Sequence, residues 1–67
     1  MRLTINGTER EVPEVSTLAG LLEVLGVHRM VVVERNGRIL RREAFAAEAV
    51  AEGDQLEIVH MVGGGRE

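Results

Sequence analysis

The stretch Met30-Val31-Val32-Val33-Glu34-Arg35-Asn36-Gly37-Arg38-Ile39-Leu40-Arg41 decides the fold of this chain. Its first four residues form a continuous apolar run, which predicts a strand buried on both faces in the middle of a sheet. Asn36-Gly37 supplies the positive φ angles that a two-residue hairpin turn requires. Residues 38–41 should therefore return as a short extended strand.

The residues that follow this hairpin predict a short helix and a final strand. Residues 43–52 have the composition of one or two helical turns, with a small apolar face formed by Phe45, Ala46, Ala49 and Val50. We expect this helix to end at Gly53-Asp54, where Asp54 is most simply a turn residue. Residues 55–62 alternate as a strand does. One face would hold Leu56, Ile58, His60 and Val62, and the other Glu57, Val59 and Met61.

The residues that precede the hairpin predict two paired strands and the main helix. Asn6-Gly7 lies between two short extended runs, which indicates an antiparallel hairpin. Ser16 or Thr17 would cap the helix, whose apolar stripe consists of Leu18, Leu21, Leu22 and Leu25. Gly20 costs this helix about 1 kcal/mol relative to alanine, and we attribute its presence to close packing of the helix backbone. The order of elements is therefore β-β-α-β-β-short helix-β.

Length and composition exclude several kinds of function. Sixty-seven residues allow one domain, near the lower limit for a self-sufficient hydrophobic core, so a large enclosed active site is not expected. The chain contains no cysteine, which removes disulfides, thiolate metal sites and cysteine nucleophiles. His28 and His60 have no partner at metal-ligand spacing, so we expect no metal site. With a net charge of −3, no basic patch and Phe45 as its single aromatic residue, the chain is a poor partner for nucleic acid.

The apolar content of the chain also bears on its location. The N-terminal residues lack the apolar core of a signal peptide, and no segment approaches the roughly 20 apolar residues of a membrane span. We therefore expect a soluble protein of the cytoplasm that contacts no membrane.

Three consecutive glycines, Gly63-Gly64-Gly65, stand near the C-terminus and are followed by Arg66-Glu67. Glycine has no Cβ, so such a tail can thread a tunnel too narrow for side chains and present a terminal carboxylate to another protein. The alternative is a disordered end without function, because terminal residues are commonly disordered. We place a folded domain at residues 1–62 and a flexible tail at residues 63–67.

Several local features gain specificity from their order and spacing. They are Asn6-Gly7, Thr17-Leu18 with Leu21-Leu22, Val31-Val32-Val33-Glu34-Arg35-Asn36-Gly37, Arg42 with Phe45, Gly53-Asp54-Gln55-Leu56-Glu57-Ile58-Val59, and the terminal glycines. In this order they resemble, nearly end to end, the ThiS family of sulfur carriers in thiamine biosynthesis. The resemblance implies an α+β protein with the ubiquitin-like β-grasp fold. Such a fold has a mixed sheet of four to five strands packed on one main helix, with a short second helix.

The resemblance also implies a carrier rather than an enzyme, with no catalytic residue and no bound cofactor. In this family an adenylyltransferase related to ubiquitin-activating enzymes, of the ThiF or MoeB type, consumes ATP to activate the terminal glycine carboxylate. Sulfur from a donor such as a cysteine desulfurase then converts that carboxylate to a thiocarboxylate. A thiazole synthase of the ThiG type receives the sulfur.

Transferred to this chain, the sulfur-carrying terminus would be Gly64-Gly65. Arg66-Glu67 departs from the family pattern, because Gly65 has no free carboxylate while they are attached, and we expect a peptidase to remove them. Met61 and Val62 would form an apolar docking surface with Val59, continued by Gly63, although part of this set is equally expected in the core.

Two other classes of function remain open from the sequence. A related ubiquitin-like carrier could serve molybdopterin synthesis, tRNA thiolation or conjugation to proteins. A β-grasp module that only binds would make no use of the terminal glycines, so deletion of Gly64-Gly65 separates it from both kinds of carrier.

Overall fold

A computed structural model describes residues 1–61 of the chain. Five strands, one α-helix and one 3₁₀ helix follow each other along it. They are β1 (Arg2–Ile5), β2 (Thr8–Glu11), α1 (Leu18–Val24), β3 (Val31–Arg35), β4 (Arg38–Leu40), the 3₁₀ helix (Arg42–Ala44) and β5 (Gln55–His60). The strands form one mixed sheet in the order β2-β1-β5-β3-β4, in which β1 and β5 are parallel and the other neighbours antiparallel. The predicted α+β, β-grasp architecture is confirmed.

Both predicted hairpins are present, and their turns have the backbone geometry that an Asn-Gly pair favours. The φ angles are 52° and 82° at Asn6 and Gly7, and 51° and 87° at Asn36 and Gly37. Positive φ at both central residues is the type I′ turn, whose twist matches that of the flanking strands. These two turns fix the registers Ile5↔Thr8 in the first hairpin and Arg35↔Arg38 in the second.

Helix α1 packs its predicted stripe against one face of the sheet. Leu18, Leu21 and Leu22 are buried, and Leu25 is half-buried at the C-cap. Thr17, rather than Ser16, is the N-cap, because its Oγ1 accepts a 3.2 Å hydrogen bond from the N–H of Gly20. The core that the helix closes consists of Leu3, Ile5, Val12, Leu18, Leu21, Leu22, Val33, Leu40, Phe45, Val50, Leu56 and Ile58.

The explanation of Gly20 by close packing was wrong. A Cβ atom at Gly20 would lie 3.5 Å from Thr17 Oγ1 and 3.7 Å from the Cβ of Val15. These are ordinary van der Waals distances, so the helix has room for alanine at this position.

The prediction that β3 is buried on both faces was also wrong. Val33 is fully buried, but Val32 is 37% exposed and Met30 is 56% exposed. The reason is that α1 covers only one face of the sheet, so alternate residues of the apolar run point away from the core. β3 is nevertheless an interior strand, between β5 and β4.

The predicted helix in residues 43–52 is reduced to the 3₁₀ helix Arg42–Ala44 and a turn. Phe45 and Val50 are buried as expected, whereas Ala46 and Ala49 are exposed. The backbone here bonds to itself only as far as Glu48, whose N–H donates to the Ala44 carbonyl, and several of its other groups bond to the start of α1. Leu18 N–H donates to the Glu48 carbonyl at 2.8 Å, and Val50 N–H donates to the Ser16 carbonyl at 3.1 Å. Groups committed to these bonds cannot continue a helix.

Strand β5 follows the predicted alternation over most of its length. Leu56 and Ile58 are buried, while Glu57 and Val59 are exposed. His60, predicted on the same strand face as Leu56 and Ile58, is exposed, because it pairs with Val31 at the end of the ladder, beyond the last residue of β1. Val62, which the prediction placed in this strand, lies outside the described residues.

Across residues 1–61, neither helix has the length and apolar character needed to cross a membrane.

Candidate functional site

The end of β5 brings the chain to its predicted reactive segment. The predicted site residues Val62, Gly63, Gly64 and Gly65 lie outside the described residues, and so do Arg66-Glu67. The predicted docking residues Val59 and Met61 are described, and they are 57% and 54% exposed. Their side chains therefore remain available on the surface, just before the tail.

The exposed face of the sheet carries an apolar patch beside this strand end. The patch consists of Met30, Val32, Ile39, Val59 and Met61, each between 37% and 68% exposed. Val32 and Val59 are direct cross-strand neighbours, and Met61 N–H donates to the Met30 carbonyl at 3.0 Å. Of the large apolar side chains exposed in residues 1–61, only Val24 on α1 lies elsewhere.

A shallow groove of about 350 Å³ runs along this patch. Met30, Val32, Ile39 and Met61 line it, and the segment 41–43 closes one side. Contiguous exposed apolar surface on a small protein commonly marks a binding site for another protein. The patch and its groove are thus the candidate docking surface.

Sequence reasoning found only two members of the apolar patch. It missed Met30 and Val32 because a continuous apolar run was interpreted as a strand covered on both sides. It missed Ile39 because Ile39 and Leu40 are adjacent apolar residues in a three-residue strand, which is too short for its periodicity to show which of them faces the core. One signal was present in the sequence: a single substantial helix can cover only one face of a sheet.

The opposite end of the same face is acidic. Glu34 and Glu57 are direct cross-strand neighbours on β3 and β5, and within residues 1–61 neither forms an ion pair. They line a depression of about 260 Å³ together with Thr4, Gln55 and the two turn glycines Gly7 and Gly37. Like charges directly opposite each other destabilise a sheet. The two carboxylates therefore give this end of the exposed face, next to the apolar patch, a negative charge.

The asparagines of the two hairpin turns also form side-chain hydrogen bonds with β5 and the residue before it, which the sequence did not reveal. The Asn6 amide bonds both backbone groups of Ile58: Oδ1 accepts from its N–H at 2.7 Å, and Nδ2 donates to its carbonyl at 3.1 Å. The Asn36 amide accepts from the N–H of Gln55 at 2.9 Å and donates to Asp54 at 3.2 Å. Both turns are thereby fastened to β5, the strand that leads to the tail.

Asp54 closes a turn as predicted, because its N–H donates to the Ala51 carbonyl at 3.1 Å, but it is also a buried anchor, which the sequence did not reveal. Its side chain is almost fully buried and accepts hydrogen bonds from Arg35 Nε at 2.8 Å, from the N–H of Ala51 at 2.8 Å and from Asn36. Burial alone raises the pKa of Asp54, but the hydrogen bonds from Arg35, Ala51 and Asn36 outweigh burial and hold this pKa below its ordinary value. The carboxylate is therefore a charged structural link between β3 and the start of β5.

Arg35 extends this link to the segment after the 3₁₀ helix. Its Nη1 donates to Glu48 at 3.1 Å, and Arg38 Nη2 donates to the same carboxylate at 2.7 Å. Hydrogen bonding to Asp54 raises the pKa of Arg35, so the guanidinium stays charged. Arg35 thus connects β3 with Asp54 just before β5 and with Glu48 after the 3₁₀ helix. This set of charged side chains is separate from the apolar patch.

The described part of the chain holds no cluster of three or more metal-ligating side chains. His28 and His60 are both exposed. Glu57 and His60, three residues apart on β5, fall on opposite faces of the strand.

The fold and this surface define a class: a small ubiquitin-like protein whose central strand leads, past an exposed apolar patch, into a glycine-rich terminus. The family follows from comparison of the sequence. Residues 3–65 match the model of the ThiS family. The chain belongs to the ThiS family.

Relatives of two kinds share this sequence. A thiazole synthase of Paramagnetospirillum magneticum is 48% identical over 66 residues, and a thiazole synthase of Magnetococcus marinus is 39% identical over 67 residues. These alignments cover 97% and 98% of this chain but 20% and 21% of the synthases, so the chain spans about one fifth of their length. The sulfur carrier protein ThiS of Bacillus subtilis is 42% identical over 38 residues, which are 57% of this chain and 58% of that protein.

Solved structures give the same result for the fold. The crystal structure of the thiamine biosynthesis protein ThiS from Geobacter metallireducens is 40% identical, with a TM-score of 0.81 over 97% of this chain and 100% of that chain. A solution structure of a thiamine biosynthesis protein from the same organism has a TM-score of 0.78 and 39% identity, and the match covers 100% of this chain and 91% of that chain.

Proposed function

We propose that this chain is a sulfur carrier in thiamine biosynthesis, with the sulfur bound as a thiocarboxylate on Gly65. The observation that carries the proposal is the match of residues 3–65 to the ThiS family, which includes the terminal glycines. The exposed end of β5 supports it, because Val59, His60 and Met61 are exposed immediately before residues 62–65 in the sequence. The chain would act as a co-substrate of other enzymes rather than as an enzyme.

The chemistry takes place on the terminal carboxylate of Gly65. A free carboxylate is a poor electrophile, so a partner adenylyltransferase of the ThiF or MoeB type joins it to AMP and releases pyrophosphate from ATP. The sulfur of a persulfide, supplied by a donor such as a cysteine desulfurase, attacks the carbonyl carbon and AMP leaves. Reduction of the resulting acyl disulfide by a thiol of the partner gives the thiocarboxylate.

The carrier contributes reach and recognition to these steps. Three glycine residues extend at most about 10 Å and have no side chains, so Gly63-Gly64-Gly65 can enter a narrow active site while the folded body stays outside. Removal of Arg66-Glu67 by a peptidase is part of the proposal, because adenylation requires a free carboxylate on Gly65.

We assign the docking of partner enzymes to the apolar patch. The patch borders the end of β5, so a protein that covers it also receives the tail. The patch includes Val59 and Met61, for which the sequence predicts a docking role, and we add Met30, Val32 and Ile39 to the proposed surface. The neighbouring carboxylates of Glu34 and Glu57 favour a partner with basic groups beside its own apolar surface.

A thiazole synthase is the proposed sulfur acceptor. Two proteins named thiazole synthase contain, within about one fifth of their length, a segment similar to nearly all of this chain. The presence of a carrier-like segment within the same chain as a thiazole synthase supports the proposal that a separate carrier chain binds a thiazole synthase and delivers sulfur to it.

The direct test is incubation of the chain ending at Gly65 with ATP, cysteine, a cysteine desulfurase and the adenylyltransferase of its own organism. We expect mass spectrometry to show replacement of one terminal oxygen by sulfur. The matched control is the chain ending at Gly63, which keeps the folded body and should stay unmodified. Equal modification of both chains, or none of the chain ending at Gly65, would contradict the proposal.

A further inference from the structure

Strand β5 loses one of its two neighbours before it ends. The parallel pairing with β1 stops at Ile5↔Leu56, whereas the antiparallel pairing with β3 continues to Val31↔His60. The last part of β5 is therefore held by a strand on one side only. This is the part that leads into the proposed sulfur-carrying tail.

The Asn6 side chain takes the place of the missing strand. Its amide satisfies both the N–H and the carbonyl of Ile58, at 2.7 and 3.1 Å, on the side that β1 has left. The backbone N–H of Asn6 also donates to the Leu56 carbonyl at 2.9 Å. Asn6 thus continues the β1–β5 ladder by one further step and connects points 52 residues apart in sequence.

The position requires asparagine for two reasons at once. The φ angle of 52° belongs to the left-handed region, which asparagine, aspartate and glycine tolerate best. The two bonds to Ile58 require a side chain that both accepts and donates, which glycine and ionised aspartate do not supply. A turn alone would accept glycine, so the amide serves the strand.

We propose that Asn6 is a positioning residue for the reactive tail: its amide fixes the end of β5, from which the tail departs. The expected effect on kcat rests on the proposed function, because it presupposes that the tail carries sulfur. With the amide in place, the end of β5 is held on both sides, by Asn6 and by the pairing with β3 that continues to the bond from the Met61 N–H to the Met30 carbonyl. Without the amide, β3 alone holds residues 57–61, so this strand end opens more often.

A strand end that opens more often brings Gly65 less often to a partner's active site. If the end opened fully, the connection from the last paired residue to Gly65 would lengthen from four positions to nine, and effective concentration, which falls roughly as the −3/2 power of this length, would fall about threefold. Threefold is therefore the upper limit of the loss. Val59 and Met61 stay paired with β3 in the closed state, so the docking surface is kept and the loss should appear mainly in kcat of thiocarboxylate formation, with KM within about twofold.

The chain offers a matched control for this test. Asn36 occupies the same turn position with φ of 51°, and its amide bonds the backbone of the same strand, but at Gln55, where β5 begins. Replacement by glycine keeps the turn geometry in both cases. Asn6→Gly removes the bonds near the tail, and Asn36→Gly removes comparable bonds far from it.

The experiment has two readouts, on the full chain and on the chain ending at Gly65. Amide hydrogen exchange by NMR in the full chain should show faster exchange at Ile58 and Met61 in Asn6→Gly, and unchanged exchange at Met61 in Asn36→Gly. Steady-state thiocarboxylate formation should show a fall in kcat of about two- to threefold for Asn6→Gly and no fall for Asn36→Gly. Asn6→Asp keeps the acceptor for the Ile58 N–H but loses the donor to its carbonyl. Its exchange rates and kcat should therefore lie between those of the parent chain and those of Asn6→Gly, and this variant supplies the test if Asn6→Gly fails to fold.

Unchanged exchange at Met61 in the Asn6 variants would overturn the inference. So would equal losses of kcat in Asn6→Gly and Asn36→Gly, since these would indicate a general loss of stability. If the parent chain forms no thiocarboxylate at all, the proposed function fails, while hydrogen exchange still decides whether Asn6 holds the end of β5.

Discussion

Replacement of Val59 by threonine tests the docking surface with little disturbance of the fold. The two side chains are nearly the same size, and both are β-branched, so the strand should be preserved. Val59 is 57% exposed in the free protein, and a fully buried valine contributes about 2 kcal/mol. Covering its exposed part therefore contributes roughly 1 kcal/mol to binding, and a hydroxyl buried without a partner adds a cost of about the same size.

The expected loss for Val59→Thr is thus at least about tenfold in Kd for the thiazole synthase or adenylyltransferase of the same organism. Isothermal titration calorimetry with the chain ending at Gly65 measures it. Val24→Thr is the matched control, because Val24 is also an exposed valine, at 46%, but lies on α1 away from the patch. Equal Kd values for the two variants would refute the assignment of the apolar patch as the docking surface.

Three further predictions concern the fold that supports this surface. Asp54→Asn should lower the free energy of unfolding at pH 7 by about 2–3 kcal/mol in urea titrations, because donors from Arg35 and Ala51 lose a buried charged acceptor; a loss below about 0.5 kcal/mol would contradict this role. Because the pKa of Asp54 is lower in the folded state, its contribution is complete above the ordinary value of 3.8 and disappears as the pH falls through the folded value, so the stability difference between parent and variant should shrink in acid. Gly20→Ala should raise the thermal unfolding midpoint by several degrees, since the site has room for a Cβ and alanine favours the helix by about 1 kcal/mol; a lower midpoint would show that the backbone there is constrained. Leu21→Ala should cost about 2–5 kcal/mol, because this fully buried side chain leaves a cavity, and a two-state urea titration with a smaller loss would place Leu21 outside the core.

The sequence predicted those parts of the fold that depend on local chemistry. Both Asn-Gly turns, the leucine stripe of α1 and a helix cap at Ser16 or Thr17 are determined by residues within a few positions of one another. The same holds for the alternation of Leu56 and Ile58 in β5. The family resemblance supplied the β-grasp architecture, a mixed sheet of four to five strands packed on one main helix, and the structure supplied the order of the strands in the sheet.

The predictions that failed depend on contacts between distant segments. Whether Val32 is covered depends on how many layers pack on the sheet, which a run of valines does not encode. The segment after the 3₁₀ helix is not helical because its backbone bonds residues 16–18, more than 25 positions away in sequence. Burial of Asp54 depends on Arg35, and the side-chain hydrogen bonds of Asn6 depend on Ile58, 52 residues distant.

The central claim is that Gly65 carries sulfur on a free terminal carboxyl group. It is tested most directly by the intact mass of the protein isolated from its own cells, when thiamine synthesis is active and the thiazole synthase has been deleted. The account predicts a species that ends at Gly65, with one terminal oxygen replaced by sulfur. A single species that still contains Arg66-Glu67, in cells of the parent strain that make their own thiamine, would contradict it.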